Sequence, residues 1–115
     1  MKSYTVKTTE IFGKNIKRLS KKYRQIKKDL LPILNRLASG ELIGDSISGC
    51  DNILYKTRVA SSDQKKGKRG GFRLIYSVHD DSEDNEIILH TIYAKSSKND
   101  ISTDELKNIM KELEL

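Results

Sequence analysis

The chain has 115 residues, a single cysteine, and 22 Lys+Arg against 16 Asp+Glu, for a formal net charge of +6. That length suits one domain, residues 1–115, with a modest core and little room for a second lobe. One cysteine excludes an intrachain disulfide and a Cys/His zinc set. No apolar run approaches the ~18 residues of a membrane span, and no apolar segment of a signal peptide precedes the first element, so a cytoplasmic protein is expected.

The charge is unevenly spread. Residues 1–40 carry 11 Lys/Arg against 2 Asp/Glu, residues 61–79 carry 5 against 1, and residues 80–115 carry 4 against 10. Such blocks favour a polyanionic partner without naming one. In chain order, Ser3 to Lys7 alternates Tyr4 and Val6 with polar neighbours, predicting a short edge strand. Thr8 or Thr9 can cap the helix that follows, whose apolar positions Phe12, Ile16, Leu19 and Tyr23 share a face. A second set, Ile26, Leu30, Ile33, Leu34 and Leu37, stops at Ser39-Gly40, so an α-hairpin with its break near Lys22–Arg24 is predicted. Pro32 either kinks the second helix or marks its start near Leu31, because an interior proline costs ~3 kcal/mol.

Glu41 to Asp51 reads as a Gly/Ser/Asp-rich loop. Three strand-like runs follow, Ile53–Ala60, Phe72–His79 and Glu86–Lys95, as an antiparallel meander. A long basic loop, Ser61–Gly71, joins the first two, and a short acidic one, Asp80–Asn85, joins the last two. Ser102 caps a C-terminal helix that carries Leu106, Ile109, Met110 and Leu113. The order β-α-α-β-β-β-α defines the α+β class: a small antiparallel-rich sheet packed on an N-terminal α-hairpin, with a C-terminal helix.

The run YKTRVASSDQKKGKRGGFRLIY, followed by LHTIYAKSSKNDIS, resembles the RelE/ParE superfamily of toxins from type II toxin–antitoxin systems, specifically the HigB-like branch. The shared parts are a K-x-R-V-A strand, a KGKRGG-x-R loop and strand, and a T-x-Y-x-K strand, over roughly residues 50–104. The resemblance implies a RelE-like fold and a ribosome-dependent mRNA endonuclease, or mRNA interferase, that cuts in the A site of the 70S ribosome and so inhibits translation. It also implies a cognate antitoxin, a small helix-turn-helix protein from the neighbouring gene. The related ParE branch shares the fold and inhibits DNA gyrase without cutting RNA, which leaves a non-catalytic inhibitor as the alternative. The chain departs from many RelE-type enzymes in ending its last strand with Lys95 rather than an arginine, and in having no tyrosine after Tyr93.

RNA can be cut without a metal when its own 2′-hydroxyl attacks the adjacent phosphate, provided cations stabilise the phosphorane charge. No metal or small-molecule cofactor is expected. Period-2 alternation puts Arg73, Ile75 and Ser77 on one face and Phe72, Leu74, Tyr76 and Val78 on the other. The apolar set must face the helices, so Arg73 projects from the open face. Lys56 and Arg58 share a face of their strand, and Lys95 ends the last one. Arg73 and Lys95 are the expected transition-state ligands, supported by Arg58, Lys68 and Arg69. Tyr93, on the face of Lys95, can stack on a base or act as a weak acid. Lys56, Lys65, Lys66 and Arg69 are expected to bind RNA. KKGKRGG, Lys65–Gly71, packs four cations and three glycines into seven residues, and glycine lets a backbone approach an anion closely.

Each feature has a plainer reading. The basic loop can be a solvated hairpin connection, and Arg58 and Arg73 can pair with acids across the sheet. The 8 Lys/Arg of Lys14–Lys28 can be the wet face of the hairpin or a contact to ribosomal RNA. His79 abuts the acidic turn, and His90 sits mid-strand on the face of Ile88 and Ile92, as a satisfied, partly buried histidine. Tyr55 and Tyr76 read as core, and Cys50 as incidental.

Overall fold

In the computed structural model, which describes residues 3–50, 53–63, 70–80 and 85–113, the two periodicities separate into two layers. The period-2 segments form β1 (Thr5–Thr8), β3 (Leu54–Val59), β4 (Phe72–Asp80) and β5 (Asn85–Ala94), joined by a two-residue strand, β2 (Asp45–Ser46). The helical stripes form α1 (Glu10–Leu19), α2 (Ile26–Ala38) and α3 (Thr103–Leu113). The sheet order is β1-β5-β4-β3-β2, with β1 parallel to β5 and the other neighbours antiparallel. β2 lies inside the segment that reads as a loop, because two residues carry no periodicity of their own.

Local chemistry sets the helix ends. Thr9 caps α1 by accepting from the Phe12 N–H at 3.1 Å, and its hydroxyl also donates to the His90 carbonyl at 3.1 Å, tying the helix start to β5. At α3, Ser102 Oγ accepts from Glu105 N at 3.1 Å while Glu105 Oε1 accepts from Ser102 N at 3.3 Å, a reciprocal capping box. α2 runs through Pro32 instead of starting near Leu31. Pro32 and Leu31 are exposed, whereas Ile26, Leu30 and Leu37 bury the opposite face against the sheet. At roughly 1.5–3 kcal/mol for each fully buried large apolar side chain, that burial outweighs the lost hydrogen bond.

The first core lies between the hairpin and the sheet, where Phe12, Tyr23, Ile26, Leu30 and Leu37 meet Phe72, Leu74, Tyr76, Leu89 and Ile92. The predicted alternation of β4 therefore holds: its apolar set faces the hairpin. The other face is not fully open. Leu54, Ile75 and Tyr93 form a second core with Ile101 and Ile109, roofed by α3 and by the segment carrying Cys50, which is buried. The expected sharing of a face by His90 and Ile92 fails. Ile75 pairs with Thr91 but Tyr76 pairs with Leu89, so a bulge leaves His90 as an extra residue and sets Leu89 and Ile92, three apart, in the same core.

Candidate active site

The site is assembled from the ends of three strands. β3 carries Lys56 and Arg58, β4 carries Arg73, and Lys95 follows β5 directly. The registers set Arg58 opposite Arg73 and Arg73 opposite Tyr93, so one row crosses the sheet at its second face. Gly71 makes the row possible. Its φ is +96°, and a Cβ there would fall 2.5 Å from the Val59 carbonyl oxygen, so only glycine lets β3 and β4 approach this closely at the foot of the basic loop. The Gly71 carbonyl accepts from Lys95 N at 3.1 Å, extending the ladder past β5. The chain then turns tightly, with Ser97 N and Lys98 N both donating to the Ala94 carbonyl, and brings Asn99 and Asp100 back over the same face.

Lys56, Thr57, Arg58, Arg73 and Lys95 line a cleft of about 330 Å³, together with Asp45, Asn99 and Asp100. Its charge is poorly compensated. Arg73 is 8% exposed, yet none of Arg58, Arg73 and Lys95 forms an ion pair with an acid among the described residues. The cross-strand neighbour of Arg73 is another arginine, a like-charge pair that costs stability. The Arg73 guanidinium, then desolvation, then Arg58 push the Lys95 ammonium below the usual lysine pKa. A cluster of this kind is relieved by a bound anion.

Lys56 behaves differently, since its ammonium donates to Asp100 Oδ1 at 3.0 Å. That bond is the main reason the Asp100 carboxyl lies below the usual range, with the Ile101 N–H and the Tyr93 hydroxyl adding to it against desolvation. Tyr93 is buried in the second core and does not line the cleft. Lys98 lies 5.2 Å over its ring, and its hydroxyl reaches Asp100 at 3.4 Å. Burial, then the Asp100 charge, raise its pKa to about 12.

Lys65, Lys66, Lys68 and Arg69 lie outside the described residues. The flanks of their loop are fixed. Ser62 N donates to Asp29 Oδ2, and Gln25 N donates to Asp63 Oδ2, both at 2.9 Å, so the loop departs from the turn of the basic α-hairpin and returns at Gly71. The histidines stand apart from the cleft. Ser77 Oγ bonds His79 Nε2 and His90 Nε2, each at 2.7 Å, while His90 Nδ1 is buried without a partner. Burial first, then the neighbouring His79, lower the His90 pKa to about 4, so it is neutral at pH 7. Asp45, Asn99 and Asp100 escaped the sequence reading, because a lone acid in a turn has no local signature. The SSKNDIS run after Lys95 was the available hint.

No protein-family profile matches the chain. A solved structure of the E. coli toxin RelE, a mutant with two arginines replaced by alanine and in the free state, is similar at 22% identity and a TM-score of 0.52. The similarity covers 85% of this chain and 90% of that one. The fold is RelE-like: an α+β arrangement of a five-stranded mixed sheet and three helices among the described residues.

Proposed function

We propose that the chain acts as a single domain, the toxin of a type II toxin–antitoxin module, and that it is an endoribonuclease cutting mRNA in the A site of the ribosome. The observation that carries this reading is the convergence of Arg58, Arg73 and Lys95 on one cleft with no acid partner among the described residues. The KGKRGG-x-R and T-x-Y-x-K segments support the HigB-like branch. The working partners are the ribosome with its mRNA and an antitoxin, a small helix-turn-helix protein, in the cytoplasm. Among the described residues no helix is long and apolar enough to cross a membrane.

The chemistry follows from the cations. The substrate 2′-oxygen attacks phosphorus, water takes its proton, and the phosphorane carries an extra negative charge on its non-bridging oxygens. The Arg73 and Arg58 guanidiniums donate to those oxygens, and such donors are worth most in a shielded site. The 5′-oxygen leaves with a proton from Lys95, whose ammonium is made more acidic by the two arginines. The products are a 2′,3′-cyclic phosphate and a 5′-hydroxyl. Lys68 and Arg69 assist in stabilising the phosphorane, while Lys65, Lys66 and Lys56 bind the RNA strand. Tyr93 acts by holding Asp100, which in turn orients Lys56.

Single-turnover cleavage on ribosomes carrying a defined A-site codon tests the reading. Arg73→Ala removes a nearly buried cation that faces Arg58 across the strands, and relief of that like-charge pair offsets the lost packing, so the fold should persist while the rate drops by about 10²–10³. Cleavage at the wild-type rate by Arg73→Ala would overturn the assignment. Intact mRNA with failing gyrase supercoiling would instead establish the ParE-like inhibitor.

A further inference from the structure

We propose that a groove adjoining the cleft reads the base of a nucleotide beside the cut, with Asp45 selecting guanine and Arg36 supplying the plane on which the base rests. This inference rests on the nuclease reading. A cavity of about 380 Å³ shares Asp45, Lys56, Thr57 and Arg58 with the cationic cleft, so the two adjoin at β3. Away from the cleft its walls change to Ile33, Ile43 and Arg36. Cations at one end and an apolar wall with a guanidinium at the other match the two ends of a nucleotide.

The fold explains why the groove is open here. β2 pairs with β3 only as far as Lys56, and Gly44, at φ +91°, lies against Lys56 and Thr57, where a Cβ would fall 2.3 Å from the Lys56 carbonyl oxygen. Beyond Lys56 the outer edge of β3 has no strand partner among the described residues. The Tyr76 hydroxyl holds the turn by donating to the Ile43 carbonyl at 2.5 Å. Arg36 is held by Glu41, which accepts from its Nε at 2.7 Å and from a terminal nitrogen. A guanidinium fixed at its edge keeps its faces available for stacking.

Asp45 is the anomaly in this groove. It is an exposed carboxylate among cations, and no ion pair or side-chain hydrogen bond occupies it among the described residues. Lys56, its cross-strand neighbour, is engaged by Asp100. A carboxylate only accepts hydrogen bonds and would repel a phosphate, so its complement is a pair of adjacent donors. Guanine alone presents two, N1–H beside N2–H₂. Adenine and cytosine set one amino group beside an acceptor, and uracil sets one imino group between two carbonyls.

The test is a pooled mRNA library with a varied A-site codon on ribosomes, cut by purified protein, with the cut ends sequenced. Wild type should favour guanine over uracil at one nucleotide flanking the cut by about tenfold, the discrimination of one good bidentate pair. Asp45→Asn, which puts a donor against N1–H, should bring that ratio within about twofold, and Asp45→Glu should retain it. Because the ratio is internal to each reaction, a change in overall rate or stability leaves it readable. A wild-type ratio near one, or an Asp45→Asn ratio equal to wild type, overturns this inference and leaves the nuclease reading standing. If wild type cuts none of the library, the nuclease reading itself fails and this one with it.

Discussion

Acidification from about pH 6.5 to 4 should destabilise this protein through His90. His90 is 4% exposed, Nε2 is committed to Ser77 Oγ at 2.7 Å, and Nδ1 has no partner. The network is satisfied when His90 donates from Nε2 to Ser77, whose hydroxyl donates to His79, leaving a bare Nδ1 lone pair. Protonation would put a charge and a second N–H into that space. Burial and then His79 lower the pKa from 6.5 to about 4. The unfolded chain therefore binds this proton below about pH 6.5, whereas the native chain binds it only near pH 4. The contribution is complete above pH 6.5 and is lost progressively down to pH 4. At 1.36 kcal/mol per unit it amounts to about 3 kcal/mol, a large part of the 5–15 kcal/mol typical of a domain. Urea unfolding from pH 7.5 to 4 should show the loss in wild type. His90→Asn keeps a donor for Ser77 and should start less stable but decline less over the same window. A flat wild-type profile, or parallel declines in both proteins, would refute the reasoning.

Gly71→Ala should lower stability by about 2 kcal/mol, because it combines a left-handed backbone with a clash against the Val59 carbonyl; an unchanged thermal midpoint would show that β3 and β4 can separate there. The cleavage rate should fall as pH rises through the Lys95 pKa, which its neighbours hold below that of a free lysine, and Lys95→Arg should lose that alkaline limb. Replacing Lys65 and Lys66 by Ser should weaken ribosome binding and lower its log-salt slope by roughly 0.7–0.9 for each phosphate that is no longer neutralised, with the cut positions unchanged. An unaltered slope would make that part of the loop a solvated connection.

The helices and the faces of β3 and β4 were legible because each follows a period that a single core can read. Phe72, Leu74 and Tyr76 could face nothing but the hairpin, and that alone turned Arg73 toward the cleft. What escaped the sequence depended on partners far along the chain. The bulge at His90 arises from the pairing of β5 with Ile75 and Tyr76, and nothing local to LHTIY announces it. Two residues of β2 are too few to show alternation. The stripe of α3 was visible, but not that it would roof half of the face that also carries Arg73. Asp45 and Asp100 read as turn residues, and only the register that sets Asp45 beside Lys56 and the turn after Lys95 bring them to the cations.

The most direct measurement of the central claim is the cutting of an mRNA that carries a single 2′-deoxynucleotide immediately 5′ of the scissile phosphate, on ribosomes, beside its all-ribose counterpart. If Arg73, Arg58 and Lys95 stabilise an attack by the substrate's own hydroxyl, the ribose strand is cut to a 2′,3′-cyclic phosphate and the deoxy-substituted strand stays intact at that position. Equal cutting of both strands, leaving a 3′-hydroxyl, would mean that water is the nucleophile and would contradict the account.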